Sequence, residues 1–268
     1  MNKAKKVILA IATGCIAVGL VMSGTAFALT GFDFSALSTV ERKVQEHYVA
    51  PSANIEAIVF RGLSDDVRVE RAAVQTIEVD YWGNDVDSYS IEEQDGTLQI
   101  AVWTRPVAGI YFNLQETPVV IRIPQAYKGT IELATASGDI ACYDEGDLAA
   151  LQVNSISGAL VLGAANVKGS VSLGSTSGSI QVKNLTASDV SLATVSGAIG
   201  FEALTAADIT LRSTSGRIQG NIEGSARDYS IRASSTSGEI RVPLGSTGGS
   251  KSLEVNTVSG NVGIDFTG

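Results

Sequence analysis

Histidine, cysteine and aromatic side chains are scarce in this 268-residue chain, which holds one His, two Cys and only 6% Phe, Trp and Tyr together. That scarcity excludes a His-rich metal centre, a zinc cluster and a disulfide framework, each of which needs several such ligands at set spacings. Proline is rare too, at five residues, and charged residues reach only 18%. What is left is 44% apolar with 28 Gly, mostly Ala, Val, Ile and Leu. That is ample for a packed core, argues against disorder, and suits slender, regularly spaced strands.

Residues 1–28 read as a targeting segment, to be set aside before a fold is considered. Lys3, Lys5 and Lys6 form a basic start, and Val7 to Ala28 follows without a charged side chain. Such a run is long enough to span a bilayer as an apolar helix. Ala26-Phe27-Ala28 equally offers the small residues of a signal-peptidase site. Signal peptide and membrane anchor both remain open, and both place the rest of the chain outside the cytoplasm, secreted or membrane-anchored. Without those three lysines the remainder carries 16 basic and 28 acidic side chains, a net −12, which repels nucleic acid.

Residues 29–54 form a tether. Ser38-Thr39-Val40-Glu41 can cap a short helix through Gln45 and His47 or belong to an extended stalk. Residues 55–130 read as an all-β block: Val67 and Val69, Ile77 and Val79, Leu98 and Ile100, and Val119, Ile121 and Ile123 alternate with polar neighbours. Asp95-Gly96 between two such runs is hairpin chemistry. The block also holds Tyr81, Trp82, Trp103, Tyr111 and Phe112, aromatics suited to capping a core or forming a sticky patch.

From Ile131 onward a repeat emerges. Ser-Gly recurs at Ser137-Gly138, Ser157-Gly158, Ser177-Gly178, Ser196-Gly197, Ser215-Gly216, Ser237-Gly238 and Ser259-Gly260, at intervals of 20, 20, 19, 19, 22 and 22 residues. A hydroxyl stands two places before each Ser (Thr135, Ser155, Ser175, Thr194, Ser213, Ser235, Thr257), and an aliphatic two places after each Gly (Ile140, Leu160, Ile180, Ile199, Ile218, Ile240, Val262). Each unit is a strand, a Ser-Gly corner and a second strand. A unit this small cannot bury its apolar side chains alone, so neighbours must stack.

The expected fold is therefore all-β: a β-solenoid of about seven 19–22-residue coils over residues 131–268, capped by the N-terminal block. Coils about 4.8 Å apart give a stack of roughly 29 Å. The inward parity slips at each corner, which calls for a bulge or a left-handed glycine there. The hydroxyl columns can satisfy backbone groups freed by the turn.

These features resemble a bacterial adhesin-type β-strand-repeat family of unknown function, found in exported or membrane-anchored cell-envelope proteins. The segments that carry the likeness are Gly31-Phe32-Asp33-Phe34, Ile58-Val59-Phe60 before Asp66-Val67-Arg68-Val69, the run Val119 to Pro124, and the repeated Thr/Ser-x-Ser-Gly-x-aliphatic units. The resemblance implies a surface-exposed scaffold, sometimes encoded beside envelope-stress regulators, with no catalytic residues to transfer.

No catalytic constellation, cofactor site or metal site is expected. Sugar-cleaving solenoids gather acidic and basic groups on one face, whereas the position after each Gly here reads Asp139, Ala159, Ser179, Ala198, Arg217, Glu239 and Asn261. Arg217 and Glu239 read as neighbours in adjacent coils forming a surface ion pair. His47 reads as a solvated residue of the tether. Cys142 shares an inward column with Leu162, Val182, Phe201, Val242 and Ile264 and reads as a small buried hydrophobe. The expected function is a non-catalytic scaffold or adhesin-like binder of the cell envelope, with an accessory role in envelope-stress signalling as the alternative and a polysaccharide-active enzyme behind both. Expected partners are the membrane through residues 7–28 if uncleaved, an envelope protein or glycan, and another copy through the C-terminal coil.

Overall fold

Period-two alternation in the sequence becomes strand almost throughout the computed structural model, which describes residues 43–51, 54–106, 118–143, 146–243 and 249–268. The apolar run 7–28 lies outside those residues, as do Tyr111 and Phe112. No described helix is long and apolar enough to cross a membrane. The first strands are β1 (Val44–Val49), β2 (Ala57–Arg61), β3 (Val67–Ala72), β4 (Glu78–Gly83), β5 (Asp87–Gln94), β6 (Thr97–Thr104) and β7 (Val119–Pro124). The repeats supply β8 (Thr130–Thr135), β9 (Ile140–Tyr143), β10 (Asp147–Leu148), β11 (Ala150–Ser155), β12 (Leu160–Val167), β13 (Ser170–Ser175) and β14 (Ile180–Thr186). They continue as β15 (Asp189–Thr194), β16 (Ile199–Thr205), β17 (Asp208–Ser213), β18 (Ile218–Ile222), β19 (Tyr229–Ser235), β20 (Ile240–Arg241), β21 (Lys251–Thr257) and β22 (Val262–Phe266).

Two sheets result. One runs β1-β4-β7-β3-β9-β12-β14-β16-β18-β22-β20, with β10 beside β12, and is called sheet A; the other, sheet B, runs β5-β6-β2-β8-β11-β13-β15-β17-β21-β19. Among the repeats every pairing is parallel, and the register is kept except for a shift between Phe201 and Leu204 where β16 meets β18. Ile140, Leu160, Ile180, Ile199, Ile218, Val262 and Ile240 are successive partners in sheet A. In sheet B, Ile131, Leu151, Val171, Val190, Ile209, Leu253 and Ile231 form the matching row. Apart from Ile240, which is exposed, and Ile231, which packs partly buried at the edge, these inner rows join one buried cluster that extends from Ala50 to Ile264, so the core does not break at residue 130. β2 and β3 pair directly with β8 and β9 and continue the two parallel ladders.

Spatial order departs from chain order at both ends. β21 lies between β17 and β19, and β22 between β18 and β20. The repeat bearing Ser259-Gly260 is thus flanked on both sides, and the outermost repeat is the one bearing Ser237-Gly238. The open C-terminal edge expected of the last coil belongs instead to β19 and β20. At the other end β2 and β3 sit inside β6 and β7, although they precede them in sequence.

The segment read as a tether also joins the fold. Val44–Val49 pairs antiparallel with β4, so neither a helix through Gln45 and His47 nor a free stalk describes that stretch. Its side chains are mostly exposed, leaving no burial period in the sequence to signal a strand. At the β5–β6 hairpin Asp95 and Gly96 both take positive φ, 50° and 73°, the twist that a two-residue connection requires.

The corner glycines answer to a different constraint. Among the described residues Gly96 and Gly224 are the glycines with positive φ, so the left-handed conformation expected at the Ser-Gly corners is absent. The reason for glycine is crowding between repeats. A Cβ on Gly158 would press on the carbonyl of Gly138, and one on Gly178 on that of Gly158; the series continues through Gly197, Gly216, Gly260 and Gly238. The backbone N–H of each corner glycine donates to the hydroxyl three residues earlier, from Gly138 to Thr135 through Gly260 to Thr257, at 2.7–3.3 Å. That bond satisfies a donor that the turn withdraws from the ladder. The Ser of each Ser-Gly pair is exposed, while the hydroxyl column two places earlier is buried in six repeats and half-buried at Ser235.

Candidate functional site

Side chains alternate faces along a strand, so the outward row of sheet A follows from the inward one. Gly200, Gln219, Gly263 and Arg241 are successive partners across β16, β18, β22 and β20. Two of the four lack a side chain, and the face is hollow where they fall. A depression of about 390 Å³ lies over β18, β22 and β20, and one of about 410 Å³ over β16 and β18. Arg217, Gln219 and Asp265 line both, so the two depressions adjoin, with Gln219 between them, and together are called the trough. A Cβ on Gly263 would meet nothing within 4 Å, whereas the Gln181 amide reaches over Gly200.

The trough is polar and mixed in sign. Arg217, Gln219 and Asn221 offer donors, and Asp265, Glu202 and the amide oxygens offer acceptors. Arg217 and Glu239 are not neighbours, because the repeat carrying Asn261 lies between theirs. Glu239 accepts instead from Arg241 Nε at 3.0 Å within its own repeat, and its backbone N–H donates to Asn261 Oδ1 at 3.0 Å. Both side chains of the Arg241–Glu239 pair are exposed, where ion pairs add little stability. Among the described residues lining the trough there is no nucleophile with an adjacent base.

Two polar clusters that sequence reading did not single out lie at the opposite end. On the outer face of sheet A, His47, Asp80, Arg122 and Glu70 form a row across β1, β4, β7 and β3. His47 Nδ1 is 2.6 Å from Asp80 Oδ1, Arg122 Nη1 donates to Asp80 Oδ2 at 2.6 Å, and Arg122 Nε is 3.2 Å from Glu70. Burial pushes the Asp80 carboxyl up, but the hydrogen bonds from His47 and Arg122 outweigh it and hold Asp80 below the usual carboxylate range. His47 is exposed, as expected of a solvated residue, but it lies in a paired strand and is tied to the sheet through Asp80, not in a free tether.

The second cluster closes the core between β5 and β6. Lys43 Nζ is 2.9 Å from Asp87 and 3.8 Å from Asp65, with all three side chains nearly enclosed. Tyr89 donates to Asp65 at 2.8 Å, and Thr104 to Asp87 at 2.9 Å. Burial, and next the Asp65 charge, push the Tyr89 hydroxyl far up, so it is a donor at any physiological pH. The Tyr81 ring packs 4.6 Å from Tyr89; burial and the Glu46 carboxylate raise its hydroxyl to about 12. Tyr81 therefore helps cap the core, while Trp103 stands largely exposed. Paired Lys, Asp and Tyr at such an end satisfy one another and lock β1 to the body. Their sequence signal was weak, because Lys43 and Asp87 meet only through the fold.

Cys142 is buried beside Val69 and Leu162. Gly220 occupies the place in that row where the sequence offered no aliphatic residue, pairing with Phe201 and Ile264. Among the described residues no group of three His, Cys, Asp or Glu is placed to hold a metal ion.

The parallel ladders and recurrent corners define a repetitive all-β protein with one shared core. By family the chain belongs to the Toastrack DUF4097 proteins, whose pattern matches residues 55–267. No curated protein matches the chain. Solved structures similar to it include a "putative adhesin" from Bacteroides fragilis (13% identity, TM-score 0.47, 84% of this chain and 97% of that one). Another is a "putative adhesin" from Parabacteroides merdae (12% identity, TM-score 0.46, 85% and 97%). A "putative cell adhesion protein" from Clostridium sporogenes is 12% identical, with a TM-score of 0.38, over 84% of this chain and all of that one.

Proposed function

We propose that this chain is a non-catalytic, extracytoplasmic binding scaffold of the cell envelope, adhesin-like in role, whose repeats wind as a β-solenoid and whose sheet A trough holds a hydroxyl-rich glycan. In this reading residues 7–28 export the chain, either as a cleaved signal or as a retained apolar helix in the membrane. The observation that carries the binding role is the trough itself. A glycine-floored groove on a rigid face, with donors and acceptors interleaved along it, matches the alternating hydroxyls of a saccharide better than an apolar or single-sign ligand.

The test is a titration of the full chain, in detergent, with soluble muropeptides and neutral oligosaccharides, compared with Gly263→Gln, which fills the floor. Binding that weakens at least tenfold in Gly263→Gln and in Arg217→Ala supports the assignment. Absence of binding to both glycan classes, or equal binding by the variants, overturns it.

A further inference from the structure

Both ends of sheet B finish, among the described residues, on strands with one neighbour: β19 at one end and β5 at the other. Edge strands offer backbone donors and acceptors that a further strand can pair. The inner-row residues at these ends are also incompletely covered. Ile231 and Ala233 on β19, and Tyr89 and Ile91 on β5, are only partly buried, while Leu253 and Val255 in the next strand inward are 1% and 0% exposed.

The two ends differ in charge. From Asn84 to Asp95 the hairpin carries Asp85, Asp87, Glu92, Glu93 and Asp95 and no basic residue. Lys43 faces Asp87 and Arg105 faces Asp85, so acidic residues outnumber basic ones at that end. The outermost repeat at the other end, residues 225–243, carries Arg227, Arg232 and Arg241 against Asp228 and Glu239, a net +1 in a chain whose total is −9. Arg232 lies opposite Glu254 on β21, but Arg212 engages that carboxylate at 3.2 Å.

We infer that the β19 edge of one copy adds to the β5 edge of another, joining copies head to tail with the sheets continuous. β5 runs antiparallel to β6, and β6 is parallel to the repeat strands. A second copy stacked in the same orientation therefore offers β19 an antiparallel partner. Arg232 and Glu92 both point to the outer face, where such pairing brings opposite charges side by side. The two surfaces are different, so the contact is heterologous and propagates along the stack axis unless the rotation between copies closes it into a ring. Ends that attract while the long faces repel are what a net-negative body with one basic tip would show. Neither Arg232 nor Glu92 lines the trough, so this association stands or falls separately from glycan binding.

Sedimentation velocity on the full chain in detergent, over a hundredfold range of concentration at low and high salt, tests it. The wild type is expected to associate reversibly and more weakly in high salt. Arg232→Glu should weaken association at least tenfold with an unchanged far-UV spectrum and melting curve, and Arg232→Glu with Glu92→Arg in the same chain should restore it. A wild type that stays monomeric throughout, an Arg232→Glu variant that associates normally, or a double variant that fails to recover overturns the proposal.

Discussion

Replacing Gly178 by Ala tests the stacking argument at its tightest point. The added Cβ would stand 2.6 Å from the Gly158 carbonyl carbon and 2.9 Å from the Ser175 hydroxyl, against an ordinary carbon–carbon separation of about 3.5–4.0 Å. Relief needs a shift of about 1 Å between two backbones. Neither can move freely: Ser177 N–H donates to Ile156 at 2.8 Å on one side, and Ser196 N–H to Thr176 at 2.9 Å on the other. Two weakened ladder bonds at about 1 kcal/mol each, with overpacking strain of about 1–3 kcal/mol, give about 3–5 kcal/mol. The reduced freedom of the unfolded chain returns about 0.4–1 kcal/mol. A net loss of about 3 kcal/mol corresponds to a melting point lower by roughly 10 °C in a domain of this size. Gly263→Ala is the control, since its Cβ meets open space in a strand; the entropy gain should leave it as stable as the wild type or up to about 1 kcal/mol more stable. Urea denaturation followed by circular dichroism compares the two. Gly178→Ala within 0.5 kcal/mol of the wild type (roughly the noise between innocuous surface variants), or an equal loss in both variants, would show that crowding does not select glycine at the corners.

Ser175→Ala strands the buried Gly178 N–H and should cost about 1–3 kcal/mol in the same urea assay, whereas Ser175→Thr, matching Thr135, Thr194 and Thr257, should cost far less. Lys43→Ala leaves Asp87 and Asp65 facing each other at the end of the core; a loss of about 2–4 kcal/mol is expected, and no change in the thermal midpoint would rule out a locking role for that cluster. Because Asp80 is held below the usual range, its contribution is complete above about pH 4 and is lost as pH falls through its depressed native value. Acid titration of Asp80→Asn should therefore show a smaller stability drop below pH 4 than the wild type, and an identical drop would refute the linkage. Amides of β21 should exchange more slowly than those of β19, since β21 has ladder neighbours on both sides; equal rates would contradict the strand order.

The alternation and the repeat were legible because they are one-dimensional signals. Ile140, Leu160 and Ile180 could be aligned by counting, and the structure pairs them in register. The reason for the corner glycines was misread because a sequence shows the chain's own turn but not the neighbouring backbone, and it is the neighbour's carbonyl that excludes a Cβ. The trough was half legible. Arg217 was visible as the exposed residue after its corner, whereas Gln219 and Asp265 did not stand out, and the hollow comes from Gly200 and Gly263 falling in one row that depends on which repeats are adjacent.

Adjacency is where counting along the chain failed, and the interval lengths carry the physical reason. Between the inner repeats 19 or 20 residues bring the chain one strand spacing along the stack, about 4.8 Å. Reaching the outermost place and returning inside it requires a step of two spacings out and one back, and both affected intervals are 22 residues. Two or three extra residues at about 3.3 Å each supply the additional reach. The extra length lies in the turn through Gly224, which has φ 106°, and the short 3-10 segment Ala226–Asp228, and in the Gly-rich stretch before Lys251. The exchange places Leu253 and Val255 in the fully covered interior, and leaves the outer position to a repeat whose row reads Ile231 and Ala233, less apolar area to leave exposed than Leu253 and Val255 would present. A stack that places its weaker row outside loses less burial at its end than one laid down in chain order. The same economy fits the other end, where Ile58 and Phe60 on β2 are covered by Leu98 and Ile100 on β6, and the final row before solvent is completed by Tyr89, whose hydroxyl bonds to Asp65.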